Sequence, residues 1–422
     1  MKRLSIITTC LLALATTHGQ TLQECQQAAV RNFPLIVQRD LIARTADATM
    51  ASIRNAWLPQ ISATAQATLQ SDVTAWPSEM QTLIGQMGIE LKGLKKDQYR
   101  IGIDVTQTVY DGGSISSQTE VARRQADVQT AQNEVNLYAV HRRVNEMYFG
   151  LLMLDEQIRL KGDLRTLLES NENKLASKLK HGAVAESDYN KVRAERLAAE
   201  QQIDDLVAQR HTLARLLSTL CGIGIEQVQK PTANQPSAAN HRPELALVDA
   251  QLRLVDAQQR SLDAALRPRI SLFAQGFYGY PGYNLFDDMM HHRWSFGGMI
   301  GARVSWNIGA LYNRRSDKTK LQLQRLQSEN SRELFLLDNQ LDSMQHSENI
   351  DRYRKQAQAD NEIITLRSKV RKAAESKLQH GIFDVDDLVK EINNENAARI
   401  QQAVHELQML KEIYDLKYTL NN

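Results

Sequence analysis

The hexapeptide Ser177–Gly182 (SKLKHG) recurs almost unchanged as Ser376–Gly381 (SKLQHG), 199 residues further along the chain. Nearer the amino terminus, Pro34 and Pro59 each have a matching proline 209 residues later. Internal similarity of this kind means that one structural unit is used twice. The ten-residue difference in spacing falls inside a loop. The sequence therefore predicts two structural repeats, which span residues 20–222 and 243–422.

Each repeat contains a long stretch that is predicted to be helical. No proline occurs at positions 78–230 or 282–422, and apolar side chains recur there at three- and four-residue steps in otherwise polar sequence. This narrow apolar stripe is typical of coiled-coil helices that pack on other helices. The predicted helices are Ser114–Lys180 and Ala310–His380, each followed by a shorter helix, Ser187–Cys221 and Asp386–Leu420. A His-Gly pair ends each long helix, because glycine readily takes the left-handed conformation. We therefore expect one long antiparallel hairpin in each repeat.

A different period precedes each long helix. In ISATAQATLQ (residues 61–70) apolar and polar residues alternate strictly, which predicts a strand with one wet face. Three more strands are predicted at residues 101–109, 270–278 and 300–308, with long loops at 71–98 and 279–296. Tilted strands of about ten residues can cross a bilayer. Four strands cannot close a water-filled barrel, so we expect several copies of the chain to share one barrel.

Two further segments lie outside this scheme. Residues 1–19 have the pattern of a secretory signal peptide, with Lys2 and Arg3 before an apolar stretch. Residues 223–242 are rich in Pro, Ser and Asn, and are predicted to be a surface crossover between the repeats with little structure of its own. Cys25 and Cys221 remain after removal of the signal. They could form a disulfide in an oxidising compartment, or stay as two buried thiols.

The sequence contains few motifs typical of catalytic or ligand-binding sites. It has no Ser/His/Asp or Cys/His arrangement and no phosphate-binding loop, so we expect neither enzymatic activity nor a cofactor. The run Asp287–His292 (DDMMHH) contains metal-ligating residue types, but neighbours on a loop seldom converge on one ion, and an external loop is favoured over a metal site. The net charge of +2, with both signs interleaved, argues against a nucleic-acid partner.

Several short motifs together resemble the TolC-type outer-membrane efflux proteins. The order and duplication of these motifs carry the resemblance, which covers essentially the whole mature chain. They are the helix starts NFPL (Asn32–Leu35) and RPEL (Arg242–Leu245), the helix-to-strand junctions WLPQI (Trp57–Ile61) and LRPRI (Leu266–Ile270), the turn VYDGG (Val109–Gly113), and the two H-G-x5-D segments.

The resemblance implies a fold and a function. The fold would be an α+β membrane protein in which a homotrimer builds a twelve-stranded β-barrel in the outer membrane of a Gram-negative bacterium. Its coiled-coil helices would continue as a periplasmic α-barrel. The function would be that of a passive exit channel that works with a periplasmic adaptor and an inner-membrane transporter to export drugs, toxic compounds or metals. A conduit for type I protein secretion and a soluble periplasmic helical scaffold are the alternatives.

The resemblance also implies where the functional residues lie. Adaptor docking at the hairpin tips maps onto Gly182, Asp188, Gly381 and Asp387, and the entrance constriction onto Asp384, Asp386 and Asp387. Because Asp188 and Asp387 are repeat partners, we assign helix capping to that pair. Asp384 and Asp386 could gate the entrance, or they could simply belong to a solvated helix start. Asp104 and Arg303 lie on the polar strand face and are assigned to the barrel lumen, because an arginine that faces lipid costs about 2–4 kcal/mol.

Overall fold

The computed structural model describes residues 19–233, 240–380, 382 and 384–421. Residues 1–18 of the predicted signal peptide, part of the predicted crossover and Gly381 therefore lie outside the described residues. The helices are α1 (Leu22–Asn32), α2 (Leu35–Arg54), α3 (Ser78–Gly85), α4 (Ser114–Lys180), α5 (Glu186–Cys221), α6 (Pro243–Ala265), α7 (Leu285–His291), α8 (Ala310–Gln379) and α9 (Val385–Leu420). The strands are β1 (Gln60–Leu69), β2 (Asp97–Tyr110), β3 (Arg269–Tyr280) and β4 (Ser295–Ser305). Within these described ranges, no helix is both long enough and apolar enough to span a membrane.

The two hairpins agree closely with the sequence prediction. Helix α4 has 67 residues and begins and ends at the predicted positions. Helix α8 has 70 residues and ends one residue before its predicted end. Each is followed by a helix of 36 residues, α5 or α9, that begins one residue earlier than predicted. The absence of proline and the three- and four-residue apolar steps were thus sufficient to locate all four helices.

The chain divides into two compact units. The first unit combines the described part of Met1–Arg39 with the described residues of Gln132–Ala246 and Arg332–Asn422. It contains both hairpin tips. The second unit combines Asp40–Ala131 with Leu247–Ser331 and contains the four strands.

In the first unit, shared apolar clusters hold the hairpins together. Near the tips, one cluster joins Leu168 of α4, Val192 of α5, Ala374 of α8 and Leu388 of α9, each no more than 1% exposed. A second cluster around the fully buried Tyr148 joins α1 to α4, α5 and α9. Burial of each large apolar side chain contributes about 1.5–3 kcal/mol. All four hairpin helices therefore pack on one another in this unit.

In the second unit, the strands form one antiparallel sheet in the order β1-β2-β3-β4. The register places Ala65 opposite Ile101, and Ile101 opposite Tyr278. Apolar residues of all four strands consequently share one face. That face is uncovered: Ile61 is 71% exposed and Ile300 is 84% exposed. Strands β1 and β4 each leave one edge without a partner strand among the described residues.

The strand boundaries and loops differ in part from the prediction. Strand β4 begins five residues before the predicted start and ends three residues before the predicted end. Its first half pairs with β3, but Gly297 and Gly298 hide the alternation in the sequence. Each strand-connecting loop also contains a short helix, α3 or α7, that was not predicted. The loops contact each other, with the rings of Trp76 and Phe286 centred 5.2 Å apart.

The predicted crossover is more structured than expected. Val228 forms a parallel bridge with Gln20, and Gln229 N–H donates to the Gln20 carbonyl at 3.1 Å. The Tyr148 hydroxyl lies 2.6 Å from the Gln229 carbonyl oxygen, and Ile225 is only 4% exposed. The expectation of little structure is therefore wrong for the first part of this segment, because it joins the apolar cluster around Tyr148.

Candidate functional site: the hairpin tips and the polar strand face

The first tip, residues 181–185 between α4 and α5, is built on a glycine turn. Gly182 has φ = +68°, the left-handed conformation in which a Cβ would be strained. Gly182 N–H donates to Leu179 O, and Ala183 N–H donates to Lys178 O, both at 2.9 Å. These bonds satisfy carbonyls at the end of α4, as expected for a His-Gly helix stop. Gly182 is thus placed as the sequence predicted.

The start of α5 lacks a side-chain cap. Its N-cap residue is Ala185, whose side chain cannot accept a hydrogen bond. Asp188 lies in the first helical turn, and its backbone N–H donates to Ala185 O at 3.2 Å. A carboxylate in the first turn interacts favourably with the helix dipole. Asp188 therefore complements the dipole, but the prediction that it caps the helix is wrong.

The second tip, residues 380–384 between α8 and α9, uses a different acid as the cap. Asp384 is the N-cap of α9, and its Oδ1 accepts from the Asp387 backbone N–H at 2.9 Å. Asp386 and Asp387 occupy the first turn. The assignment of capping to Asp387 is therefore wrong. Asp384 caps because its extended backbone (φ −89°, ψ 175°) places the carboxylate beyond the helix end.

Lys191, which lies in none of the motifs identified in the sequence, joins the two tips. Lys191 Nζ in α5 lies 2.7 Å from Asp386 Oδ2 in α9. The hydrogen bond to Asp386 raises the pKa of Lys191, and the charges of Asp386, Asp188 and Asp384 add to this effect. Both side chains are about half exposed. The acidic tip thus includes a cation that bridges one hairpin to the other.

Two ion networks lie further from the tips, at equivalent positions of the repeats. In the first ion network, Arg196 of α5 bonds Glu172 of α4 at 2.5 Å and Glu200 at 2.6 Å. In the second ion network, each charge is reversed. Glu395 of α9 bonds Arg371 of α8 and Arg399, and the members of the second network follow those of the first by 199 residues.

In the second ion network, burial and the neighbouring charges have opposite effects on the pKa of Glu395. The Glu395 side chain is only 7% exposed. Burial alone would raise the pKa of Glu395, but hydrogen bonds from Arg399 and Arg371 outweigh it, and the pKa is lowered. Removing one member of a buried pair leaves the other charge buried and uncompensated. These networks therefore fix how the two helices of each hairpin pair.

Asp104 and Arg303 lie on the same polar face of the sheet. Asp104 is opposite Gln275, and Arg303 is opposite Ser271. Gln275 and Ser271 are four residues apart in β3, so both face the same side of the sheet. Gln275 Nε2 donates to Asp104 Oδ1 at 2.6 Å. Most apolar side chains of the four strands, among them Ile101 and Ile300, are on the opposite face. The structure therefore separates these two charges from the exposed apolar surface.

The remaining candidates make ordinary structural contacts. Asp287 accepts from Arg293 at 2.6 Å and lies 2.9 Å from His291. In the part of the chain that the structure describes, no group of His, Cys, Asp or Glu side chains is placed to hold a metal ion. Cys25 and Cys221 are free and buried, and the Cys221 thiol donates to the Cys25 carbonyl at 3.4 Å.

The fold of this chain is similar to those of several solved membrane proteins, two of which are described as outer membrane channels. A membrane protein from Pseudomonas aeruginosa has 16% sequence identity and a TM-score of 0.70, over 94% of this chain and 90% of that chain. The CmeC outer membrane channel of Campylobacter jejuni has 12% identity and a TM-score of 0.66, over 94% and 85%. The open MtrE outer membrane channel of Neisseria gonorrhoeae has 14% identity and a TM-score of 0.66, over 95% and 89%. At these identities the likeness establishes a common fold.

The sequence comparison finds the same class of protein over part of the chain. The family model described as outer membrane efflux protein matches residues 26–222 of this chain. A comparison with curated proteins finds no match. The predicted resemblance to the TolC-type outer-membrane efflux proteins is therefore confirmed, as is the predicted fold of long helical hairpins with a four-stranded sheet.

Proposed function

We propose that this protein is a passive outer-membrane exit channel of a tripartite efflux pump in a Gram-negative bacterium. The four-stranded sheet carries the proposal. It has two open edges and an exposed apolar face, on which Leu69, Phe296 and Ile300 are each 79–84% exposed. An open edge in hydrocarbon would leave backbone groups unpaired. A closed barrel has no open edge, and the lipid around it covers the apolar face. The match to the efflux family supports the same role.

A homotrimer would pair the open strand edges and would leave the apolar face of the sheet in contact with lipid. Three copies would contribute twelve strands, with the free edge of β4 in one copy paired to the free edge of β1 in the next. Helix α8 also presents an apolar stripe, Leu334, Leu337, Leu341 and Met344, whose side chains are 53–58% exposed. Spacings of three and four residues are those of a helix that packs on another helix. We assign this stripe to contact with a neighbouring copy.

The tips are the proposed point of contact with the pump. Gly182, Asp188, Gly381 and Asp387 would contact a periplasmic adaptor, which in turn connects the channel to an inner-membrane transporter. In a trimer, Asp384, Asp386 and Asp387 would bring nine carboxylates to one entrance. A ring of carboxylates favours cations in a narrow pore. Substrates would leave through the barrel, past Asp104 and Arg303 on its inner face.

The first test uses a matched pair of strand variants. Ala65→Arg places a charge on the apolar face, and Thr64→Arg places the same charge on the polar face of the same strand. We expect Ala65→Arg to cost about 2–4 kcal/mol if that face contacts lipid, and Thr64→Arg to cost little. The measurement is the amount of heat-stable trimer in outer-membrane fractions. Equal amounts from both variants, with protein soluble without detergent, would instead support a periplasmic scaffold.

The acidic entrance is tested by conductance in planar bilayers. Asp384→Asn retains a good helix cap and Asp386→Asn is nearly isosteric, but the second change also weakens the ion pair with Lys191. The double variant is therefore compared with Lys191→Met, which breaks that pair and keeps both carboxylates. We expect a small cation-selective conductance in the wild type, and a loss of that selectivity in the double variant. Unchanged selectivity would show that these carboxylates do not line the narrowest part of the channel.

A further inference from the structure

Two arginines on the polar face of the sheet are not neutralised by carboxylates. Arg100 in β2 and Arg303 in β4 share this face with Asp104. Neither arginine lies within ion-pair distance of a carboxylate among the described residues. Asp104 itself accepts a hydrogen bond from Gln275. With Arg269, which donates to the Ser114 hydroxyl at 3.3 Å, the strands place three arginines and one aspartate on this face.

Both guanidinium groups are stacked on phenylalanine rings. The Arg100 Cζ lies 3.5 Å from the centre of the Phe277 ring, and the Arg303 Cζ lies 5.0 Å from the centre of the Phe273 ring. A cation over an aromatic face is attracted by the ring quadrupole. Stacking uses the flat side of the guanidinium and leaves its N–H groups free to bind in the plane. Each arginine is thus held in place with its hydrogen-bond donors available.

Glycines of β4 make room for the two rings. Phe277 is opposite Gly297, and Phe273 is opposite Gly301. A Cβ atom at Gly297 would come within 2.4 Å of the Phe277 ring, and one at Gly301 within 2.8 Å of the Phe273 ring. Any larger residue would therefore push the ring off the strand. Twice on this face, four residues apart along β3, a phenylalanine lies opposite a β4 glycine and stacks with an arginine. The arginine comes from β2 in one case and from β4 in the other, and the recurrence indicates a built feature of this face.

We infer that Arg100 and Arg303 are anion-binding residues of the channel, which take substrates bearing a phosphate, sulfonate or carboxylate group. Planar guanidinium donors match two oxygens of such groups at once. The inference rests on the proposed function, because this face lines a lumen only in a closed trimeric barrel. There the three copies would supply six guanidinium groups at two levels, with Asp104 about 13 Å from Arg100 along β2.

The test measures current block by inorganic tripolyphosphate in planar bilayers. We expect the wild-type current to be blocked, and the half-blocking concentration to rise about tenfold in Arg100→Gln/Arg303→Gln. The matched control is Lys92→Gln/Lys96→Gln, which removes two positive charges from the loop between β1 and β2. Those loop charges are solvated and screened, so we expect less than about a twofold change. An unchanged value in the arginine variant, or an equal shift in the control, would overturn the inference.

Two further measurements separate the possible failures. Arg100→Lys/Arg303→Lys keeps the charge but loses the planar fork, and should give a half-blocking concentration between those of the wild type and the glutamine variant. A lysine variant that blocks like the wild type contradicts a role for the stacked guanidinium. If the wild type conducts no current, the proposed function fails instead. Calorimetric titration of the detergent-purified protein with tripolyphosphate then decides whether Arg100→Gln/Arg303→Gln abolishes anion binding, as the inference requires.

Discussion

The two helical hairpins occupy equivalent places in the repeats, but their ion networks have opposite signs. The first has a central arginine between two glutamates, and the second has a central glutamate between two arginines. In both, the central side chain links the two helices of one hairpin and also bonds a residue one turn further along its own helix. Helix packing at this level therefore depends on matched opposite charges, and either helix can carry either sign.

A second difference lies further from the tips. The α8–α9 hairpin contains two His–carboxylate pairs: His346 with Glu412 at 2.6 Å, and His405 with Asp360 at 2.7 Å. The repeat-equivalent positions of the first of these pairs are Met147 and Leu213, and those of the second are Lys161 and Leu206. The second hairpin therefore uses polar pairs where the first has mainly apolar side chains. Its packing should respond more strongly to pH and to loss of single charges.

The largest effect should come from breaking the second ion network. Glu395→Arg would place three arginines together around a site that is 7% exposed in the native protein. Breaking a buried pair typically costs about 3–5 kcal/mol. We expect a clear fall in the apparent unfolding temperature, followed by circular dichroism of the detergent-solubilised protein. Glu200→Arg alters a more exposed member of the first network, so the effect there should be below about 1 kcal/mol.

Reversing every charge of the second ion network tests whether the packing needs only matched opposite charges. The triple variant Arg371→Glu/Glu395→Arg/Arg399→Glu gives the second hairpin the polarity of the first. If matched charge is what the packing needs, most of the stability lost in Glu395→Arg should return. A triple variant as unstable as the single variant would show that the sign of each charge is fixed by its surroundings.

Acid should weaken the second hairpin through two glutamates, the buried Glu395 and the partly buried Glu412. Burial would raise the pKa of Glu412, but the hydrogen bond and charge of His346 outweigh it, so the pKa is lowered, as for Glu395. A lowered folded-state pKa means that the stabilisation is complete above the ordinary value of 4.5 and disappears as the pH falls through the folded-state pKa. Each charged hydrogen bond contributes about 1.5–3 kcal/mol.

The measurement is the guanidinium unfolding midpoint between pH 7 and pH 3. Glu412→Gln should have a lower unfolding midpoint than the wild type at pH 7. Its midpoint should fall less on acidification than that of the wild type. Glu406→Gln is the control, because that carboxylate is on the same helix and 43% exposed. Identical acid losses in the wild type and Glu412→Gln would contradict the assigned role of Glu412.

Local periodicity explains why most of the fold could be predicted from the sequence. The limits of α4 follow from its apolar steps and from the glycine after its end, and those of β1 follow from strict alternation. Strand β4 was misplaced because Gly297 and Gly298 carry no signal for either face. The short helices α3 and α7 have fewer than nine residues, and a stretch of that length is too short to show a clear period.

The candidate site was predictable only where the information is local. The turn at Gly182 and the acidic start of α9 could be identified from a few neighbouring residues. The acid that caps α9 could not be identified in this way, because the choice depends on the backbone conformation of Asp384. The Lys191–Asp386 pair joins residues 195 positions apart, so it depends on how the hairpins pack. The ion networks did leave a signal, since charges of opposite sign occur at a constant offset of 199 residues.

A smaller effect is expected from exchanging the caps of the two tips. Asp384→Ala removes the N-cap of α9, which should cost about 1 kcal/mol. Ala185→Asp adds a side-chain acceptor at the uncapped start of α5 and should stabilise it by a similar amount. Hydrogen exchange of peptides from the first turn of each helix measures both effects. Equal exchange in the wild type and Asp384→Ala would show that the carboxylate of Asp384 contributes nothing as a cap.

The smallest effect on stability should come from the bridge between the hairpins. Lys191 and Asp386 are about half exposed, and exposed ion pairs contribute little to folding. Lys191→Met should therefore leave the unfolding temperature nearly unchanged. The raised pKa of Lys191 means that the pair is intact at neutral pH and is lost only as the pH rises above the ordinary lysine value of 10.5.

The same pair should nevertheless matter for the proposed channel entrance at the tips. It links the two tips of one chain, so its loss leaves the shared apolar cluster around Val192 and Leu388 as the contact that holds α9 against α5 near the tips. Lys390→Met is the matched control, because Lys390 is the repeat equivalent of Lys191 and is exposed. Single-channel recording should show a larger mean conductance for Lys191→Met than for Lys390→Met. Equal conductances would mean that the bridge does not hold the entrance narrow, and that the tips are restrained by the apolar cluster around Val192 and Leu388 instead.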